Sequence, residues 1–152
     1  MYKTVGRLLA IGALVLAAQV AQAKTYNGLS FDELFDIYDK SGMSFGVSDG
    51  YIEILNGPFI GLNGCEDNKD CTDIVFTITF EDIFPTLDQV NSWNQTYKIP
   101  EASKNDDGTL LLEMYLVTEG VTDEIILETT RWFWDTIVND IDFWEKPAKP
   151  TS

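Results

Sequence analysis

The sequence predicts an α+β domain in which an antiparallel sheet of about five strands packs against three helices, in the order α-β-β-β-α-β-β-α. Two local patterns support this prediction. Ser30 and Thr86 are each followed three residues later by Glu or Gln, which is the capping-box pattern of a helix start. Elsewhere, short apolar runs alternate with a period of two and are separated by turn residues, which is typical of hairpins.

Each element has its own boundary signals. The first helix should end at Ser41-Gly42, because glycine adopts the left-handed conformation of a helix terminus. Asn56-Gly57-Pro58 is a turn sequence, and the piece after it, 59–62, is expected to be a short strand or an extended arm. The clearest strand runs from Ile74 to Phe80, with its apolar residues on one face. In chain order, the predicted elements are helix 30–41, strands 43–48 and 51–55, the short strand or arm 59–62, strand 74–80, helix 86–94, strands 97–102 and 109–118, and helix 122–143.

The charge balance is strongly acidic. The chain has ten Lys and Arg residues against twenty-five Asp and Glu residues and no His, which gives a formal charge of −15. Without imidazole it lacks the usual general base at neutral pH, the Ser-His and Cys-His nucleophile pairs, and most zinc sites. Nucleic-acid binding requires clustered Lys and Arg, whereas these cations are scattered. We therefore expect a protein that is not an enzyme and has no cofactor, metal or nucleic-acid partner.

The amino terminus has the three parts of a secretory signal peptide. Lys3 and Arg7 make a cationic start, an apolar run covers 8–18, and Ala21-Gln22-Ala23 offers the small residues that signal peptidase reads. A membrane anchor needs about 20 apolar residues, and this run is shorter. We expect a periplasmic or secreted protein without a stable membrane anchor after cleavage. The expected organisation is a signal peptide at 1–23, a domain at 24–144 and a flexible tail at 145–152.

Cys65 and Cys71 are the two cysteines of the chain. In an oxidising compartment, a pair separated by five residues can close a small disulfide loop. Two sulfurs without His or further Cys cannot complete a tetrahedral zinc site, and a redox-active pair is more often C-x-x-C. We therefore predict a structural disulfide that stabilises a turn by about 2 kcal/mol.

The chain resembles the YbjN family of bacterial proteins over about residues 26–144, most specifically in 86–144. The resemblance lies in an N-x-W-N segment formed by Asn91, Trp93 and Asn94, an acidic-Gly turn at Asp107-Gly108, and Gly120-Val121 before an aromatic helix. Family members are described as sensory transduction regulators, and their fold is similar to that of type III secretion chaperones. The resemblance therefore implies a chaperone-like fold and a regulatory role.

Asn91, Trp93 and Asn94 have two interpretations. They could form a recognition motif, with Trp93 as an aromatic anchor and the amides as directed hydrogen-bonding groups. The structural alternative, which we prefer, is that Asn94 caps the second helix and Trp93 fills the core.

Trp132 stands in the run Arg131-Trp132-Phe133-Trp134, whose aromatic residues cannot all face one core at about 100° per residue. If Phe133 and Trp134 pack inward, Trp132 points to another surface in line with Ile125 and Phe143. That surface could contact a second subunit or a client protein. The alternative is a helix that is buried on nearly all sides.

These observations favour an exported, non-enzymatic protein- or peptide-binding domain, chaperone-like or regulatory, that could form a homodimer. The client is not identified by the sequence. One alternative is an enzyme that uses carboxylates alone, for example on a cell-wall glycan, which requires two facing carboxyls and one raised pKa. Another is a calcium-responsive module in the loop 63–73, although this loop lacks the ligand pattern of a calcium hand.

Overall fold

One antiparallel sheet organises the computed structural model, which describes residues 23–67 and 69–145. The α+β class predicted from the sequence is confirmed. The elements in chain order are α1 (Phe31–Ser41), β1 (Phe45–Ser48), β2 (Tyr51–Ile54), β3 (Phe59–Asn63), β4 (Asp73–Phe80), α2 (Leu87–Thr96), β5 (Glu101–Lys104), β6 (Leu110–Val117), α3 (Asp123–Asp140) and α4 (Asp142–Glu145). Apart from Ala23 and Glu145, the predicted signal peptide at 1–23 and tail at 145–152 lie outside the described residues.

The sheet has six strands in the order β1-β2-β3-β4-β6-β5, one more than the sequence predicted. The additional strand is β3, for which an extended arm was the alternative. Ile60 pairs with Ile52 of β2 on one side and with Phe76 of β4 on the other. Because Ile60 is fully buried, this pairing places a core residue between two strands and fixes the segment in the sheet.

Two predicted boundaries need correction. The strand expected at 97–102 begins only at Glu101. Tyr97 belongs to the end of α2 instead, because its N–H donates to the Trp93 carbonyl at 2.8 Å. The helix expected to continue to Phe143 ends at Asp140, and α4 follows as a separate short turn. In both places the local pattern predicted the element but not the residue at its boundary, which is the least predictable part of an element.

Both predicted capping boxes are confirmed. The Ser30 hydroxyl accepts from the Glu33 N–H at 3.3 Å, and the Glu33 carboxylate accepts from the Ser30 N–H at 3.1 Å. Thr86 and Gln89 make the same reciprocal pair at the start of α2. These bonds satisfy backbone donors that have no partner within the helix.

The helices cover one face of the sheet and close the core there. Phe76 of β4 packs against Phe133 of α3 with ring centroids 5.9 Å apart. The buried hydroxyls of Tyr38 on α1 and Thr130 on α3 lie 2.6 Å from each other, and Thr130 also donates to the Ile126 carbonyl. Each buried hydroxyl is therefore hydrogen-bonded, as interiors require. Within the described ranges, no helix is both long and apolar enough to cross a bilayer.

The segment before α1 and the disulfide loop support each other. Cys65 and Cys71 form the predicted disulfide. Cys71 is buried and exchanges two backbone hydrogen bonds with Leu29, at 3.0 and 3.1 Å. Further back, the Tyr26 N–H donates to the Val121 carbonyl at 2.9 Å. The chain before α1 is therefore attached both to the disulfide loop and to the turn that precedes α3.

Candidate binding surface

Trp93 lies in the core, with none of its surface exposed. Its indole N–H donates to the Pro100 carbonyl at 2.7 Å, and its ring packs against Tyr97, Phe143 and Trp144 at centroid distances of 4.2, 5.3 and 4.9 Å. A side chain in this position has no surface to offer a partner. These contacts favour the structural interpretation of Trp93 over the aromatic anchor.

Asn94 joins α2 to the outermost strand of the sheet. Its amide donates to the Ala102 carbonyl at 2.9 Å and accepts from the Ala102 N–H at 2.8 Å. The side chain thus pairs with the outer edge of β5 as a neighbouring strand would. This differs from the helix cap expected from the sequence, because the bonded partner is a strand 8 residues away. Covering an exposed edge in this way protects it from pairing with other chains.

Asn91 and Trp132 are both exposed, so a binding role for either of them stays a prediction. Asn91 is exposed on α2, three residues before Asn94. Trp132 is 48% exposed on α3, and Ile125 on the same side of that helix is also exposed. Phe143 does not share this surface as predicted. It packs against Trp93 instead, because the chain turns at Ile141 before α4 begins.

The strand register reveals a second surface that the sequence did not predict. Because paired residues share a face, the uncovered side of the sheet carries two cross-strand rows of side chains. The first row contains Tyr51, Gly61, Val75 and Tyr115. The second row contains Glu53, Phe59, Thr77, Glu113 and Glu101.

Between side chains of these rows lies a shallow depression of about 460 Å³, which we call the sheet-face groove. Residues of β4 form its floor, and larger side chains of β2, β3 and β6 form its walls. The Tyr51 ring lies directly above Gly61, where an added Cβ would come within 2.5 Å of the ring. The floor residues are Val75 and Thr77, and the wall residues are Tyr51, Phe59, Glu113 and Tyr115, whereas Gly61 is buried beneath the Tyr51 ring.

The groove combines exposed aromatic rings with carboxylates. Tyr51, Phe59 and Tyr115 are 44%, 37% and 52% exposed. The Tyr115 hydroxyl donates to the Glu113 carboxylate at 2.7 Å. This hydrogen bond, partial burial and the negative charges of Glu113, Glu101 and Asp73 all raise the pKa of Tyr115. Tyr115 therefore stays a neutral hydrogen-bond donor through neutral pH.

The sequence alone indicated that the strand 74–80 has a second face, which carries Val75, Thr77 and Thr79. Which residues of other strands stand beside them depends on register, and register was not predicted. The signal that could have identified the groove is the combination of Tyr51, Phe59 and Tyr115 at positions that alternate with buried neighbours. A strand with one face in a core does not need large aromatics on the other face.

The carboxyl groups of Asp107 and Glu33 have lowered pKa values. Hydrogen bonds from Thr109 lower the pKa of Asp107, and the Lys24 ammonium, followed by the Ser30 backbone N–H, lowers the pKa of Glu33. A carboxyl that serves as a general acid needs a raised pKa instead. In residues 23–67 and 69–145, no group of three or more His, Cys, Asp or Glu side chains is arranged to hold a metal ion.

The fold and this surface define a small α+β domain whose sheet is covered by helices on one side and open, with exposed aromatics, on the other. A profile of the YbjN family, described as "Putative bacterial sensory transduction regulator", matches residues 59–143. The chain therefore belongs to the YbjN family, whose description is that of a regulator and not of an enzyme.

The fold has a counterpart among solved structures. The structure described as "Crystal structure of YbjN, a putative transcription regulator from E. coli" is 18% identical in sequence, with a TM-score of 0.54. The similarity covers 77% of this chain and 90% of that one, and it concerns the fold alone. A search of curated proteins found no match.

Proposed function

We propose that this protein is an exported regulatory domain that acts by binding a protein or peptide segment, and not by catalysis. The observation that carries the proposal is the sheet-face groove. Helices close one side of the sheet, whereas the other side leaves Tyr51, Phe59 and Tyr115 at the surface. Exposed aromatic groups that border a depression are characteristic of binding surfaces, because they supply contact area at a low cost in side-chain entropy.

Family membership supports the regulatory part of the proposal. A regulator without a chemical reaction of its own has to act through contacts with another molecule. The cleavage signal at the amino terminus and the Cys65–Cys71 disulfide support the exported part, since disulfides persist in oxidising compartments.

Site-specific photo-crosslinking in intact cells tests the binding proposal. A photoreactive amino acid at Val117, which is exposed on the open face of the sheet, should form an adduct with another polypeptide. The matched control is the same amino acid at Leu87, which is exposed at the start of α2 on the helical side. The Val117 adduct should disappear when Tyr115 is replaced by Ser. Equal labelling at the two positions, or none at Val117, would contradict the proposal.

Export is tested separately by fractionation and amino-terminal sequencing. The mature chain should begin at Lys24 and should be found in the periplasm or the medium. An intact chain that begins with Met1 and stays in the cytosol would contradict the location while leaving the groove unaffected.

The outer side of α3 provides a surface for a homodimer. Ile125 and Trp132 are both about half exposed there. If a second copy covers them, dilution should change the fluorescence of Trp132, and Trp132→Ser should yield only monomer in sedimentation experiments. A monomer at all concentrations, with unchanged fluorescence, would rule out this assembly.

A further inference from the structure

We infer that the sheet-face groove binds an extended peptide segment in which Lys or Arg side chains accompany apolar ones. The inference rests on the proposed function and specifies the chemistry of the partner. The open face presents four carboxylates on its strands, from Glu53, Asp73, Glu101 and Glu113. On the described strands, no Lys or Arg residue points to that face.

In the described part of the chain, no Lys or Arg forms an ion pair with the carboxylates of the open face. Glu101 and Glu113 stand directly opposite each other on neighbouring strands, an arrangement that destabilises a sheet. The ion pairs found in the described part of the chain, Lys24 with Glu33 and Lys40 with Asp36, lie at α1 on the helical side. A cation supplied by a ligand would therefore meet an uncompensated negative field.

The aromatic walls suit the same ligand. The ring faces of Tyr51 and Tyr115 attract ammonium and guanidinium groups, and these cations would lie beside the Glu113 carboxylate. Phe59 and Val75 add apolar surface for aliphatic side chains. A peptide that carries both kinds of side chain can thus use the wall, the floor and the carboxylates together.

The spacing of the groove favours an extended peptide. Its two rows are separated by two residues along β4, from Thr77 to Val75, and Asp73 follows at the same spacing beside the groove. Residues two apart in a strand are about 7 Å apart, and the same spacing holds for alternate side chains of an extended ligand. Successive side chains on one face of the peptide therefore meet successive rows of the sheet.

The negative charge of the protein also disfavours other ligands in the sheet-face groove. A second copy of this chain, with its formal charge of −15, would bring a second set of carboxylates against the first. Nucleic acids and anionic lipid surfaces would be repelled for the same reason. A cationic polypeptide is attracted by the same negative charges that repel these alternatives.

Fluorescence anisotropy with three matched peptides tests the inference on the mature protein. Each labelled peptide has about eight residues, enough to span the rows of the groove. The first contains Arg and Leu in equal numbers, and in the other two Glu or Ser replaces every Arg. We expect the Arg peptide to bind at least about tenfold more tightly than the other two in low salt, and added salt should weaken it.

Substitutions assign this binding to the groove. The double change Glu101→Gln with Glu113→Gln should lower the affinity for the Arg peptide about fivefold, since each partly exposed charge contact contributes modestly. The control pair Glu128→Gln with Asp135→Asn alters the net charge equally on the exposed side of α3 and should have no effect. Tyr51→Ala should lower the affinity for every peptide that binds, because it removes one aromatic wall of the groove. Circular dichroism checks that each variant is folded.

The outcomes separate this inference from the proposed function. Equal binding of the Arg, Glu and Ser peptides would overturn the cationic preference while leaving a groove that binds peptides. Equal loss in both double variants would show that net charge, and not the groove, attracts the Arg peptide. No binding by any peptide would also overturn the inference, whereas the crosslinking at Val117 decides the proposed function independently.

Discussion

At the scale of single residues, Asn91 and Asn94 show how one residue type takes two roles on one helix. Both stand on α2, three residues apart. Asn94 makes two hydrogen bonds to the backbone of Ala102 and so secures β5, while the side chain of Asn91 is exposed. The sequence motif that contains both therefore combines a residue that bonds to a strand with a residue at the surface.

Asn94→Ala should lower the free energy of unfolding by about 2 kcal/mol, because it leaves a partly buried backbone N–H and carbonyl without partners. Urea denaturation followed by circular dichroism measures this. Asn91→Ala is the matched control and should change stability by less than about 0.5 kcal/mol. Similar losses in the two variants would mean that the bonds to Ala102 contribute little.

Trp93 and Trp132 show how far the burial of an aromatic side chain can be predicted from a sequence. Trp93 is fully buried and Trp132 is half exposed, although each belongs to a helix with an apolar side. Helical periodicity indicated that one aromatic of the run 132–134 had to face outward. It named Trp132 for this position only on the condition that Phe133 and Trp134 pack inward, and that condition depends on the packing of Phe133 against Phe76.

At the scale of elements, the disulfide loop acts through its neighbours. Cys71 is buried and pairs with Leu29, which is itself fully buried. Gly28 lies beside the loop, where an added Cβ would come within 2.8 Å of the Asp70 backbone. The disulfide therefore holds the loop against the segment that leads into α1.

The double change Cys65→Ser with Cys71→Ser should lower stability by about 2 kcal/mol, mainly because the unfolded chain regains loop freedom. Chemical denaturation with and without a reducing agent measures this. Reduction should bring the wild type to the level of the variant and leave the variant unchanged. If the reducing agent destabilised both proteins equally, the effect would not come from this disulfide.

The register of β5 against β6 makes a further prediction. Glu101→Gln should raise stability by about 0.5 kcal/mol in low salt, because it removes the repulsion from Glu113 on the opposite strand. The gain should disappear in high salt, where surface charges are screened. Thermal denaturation at two salt concentrations tests this, with Glu128→Gln on α3 as the charge-matched control. A loss of stability in low salt would indicate that Glu101 has an attractive partner instead.

At the scale of the whole molecule, tyrosines connect distant parts of the chain. Tyr26 donates to the Asp123 carboxylate at 2.7 Å, which joins the amino-terminal segment to α3. Burial, together with this hydrogen bond, raises the pKa of Tyr26 to about 12. Burial also raises the pKa of Tyr38, whose hydroxyl lies beside that of Thr130 between α1 and α3.

These shifts predict alkaline destabilisation. A tyrosine with a raised folded-state pKa contributes its full stability below the unfolded pKa of about 10, and the contribution falls as the pH rises toward 12. We expect unfolding free energy to drop by about 2 kcal/mol over that window from Tyr26 alone. Urea denaturation at several pH values measures the drop.

Tyr26→Phe supplies the control for this titration. It should be less stable than the wild type at pH 8 because the bond to Asp123 is lost, and it should show a smaller decrease between pH 10 and 12. Equal decreases in the two proteins would mean that other groups, such as Tyr38, account for the whole effect.

The sequence by itself determined the α+β class, the positions of the three longer helices, the two capping boxes, the cysteine pair and the family. These features depend on residues that are close along the chain, so local patterns are enough to predict them. Tertiary structure alone decided that residues 59–63 join the sheet, that Asn94 bonds to Ala102, and that Glu101 faces Glu113. The groove belongs to this second group, because a surface shared by four strands exists only once their register is set by burial of the opposite face.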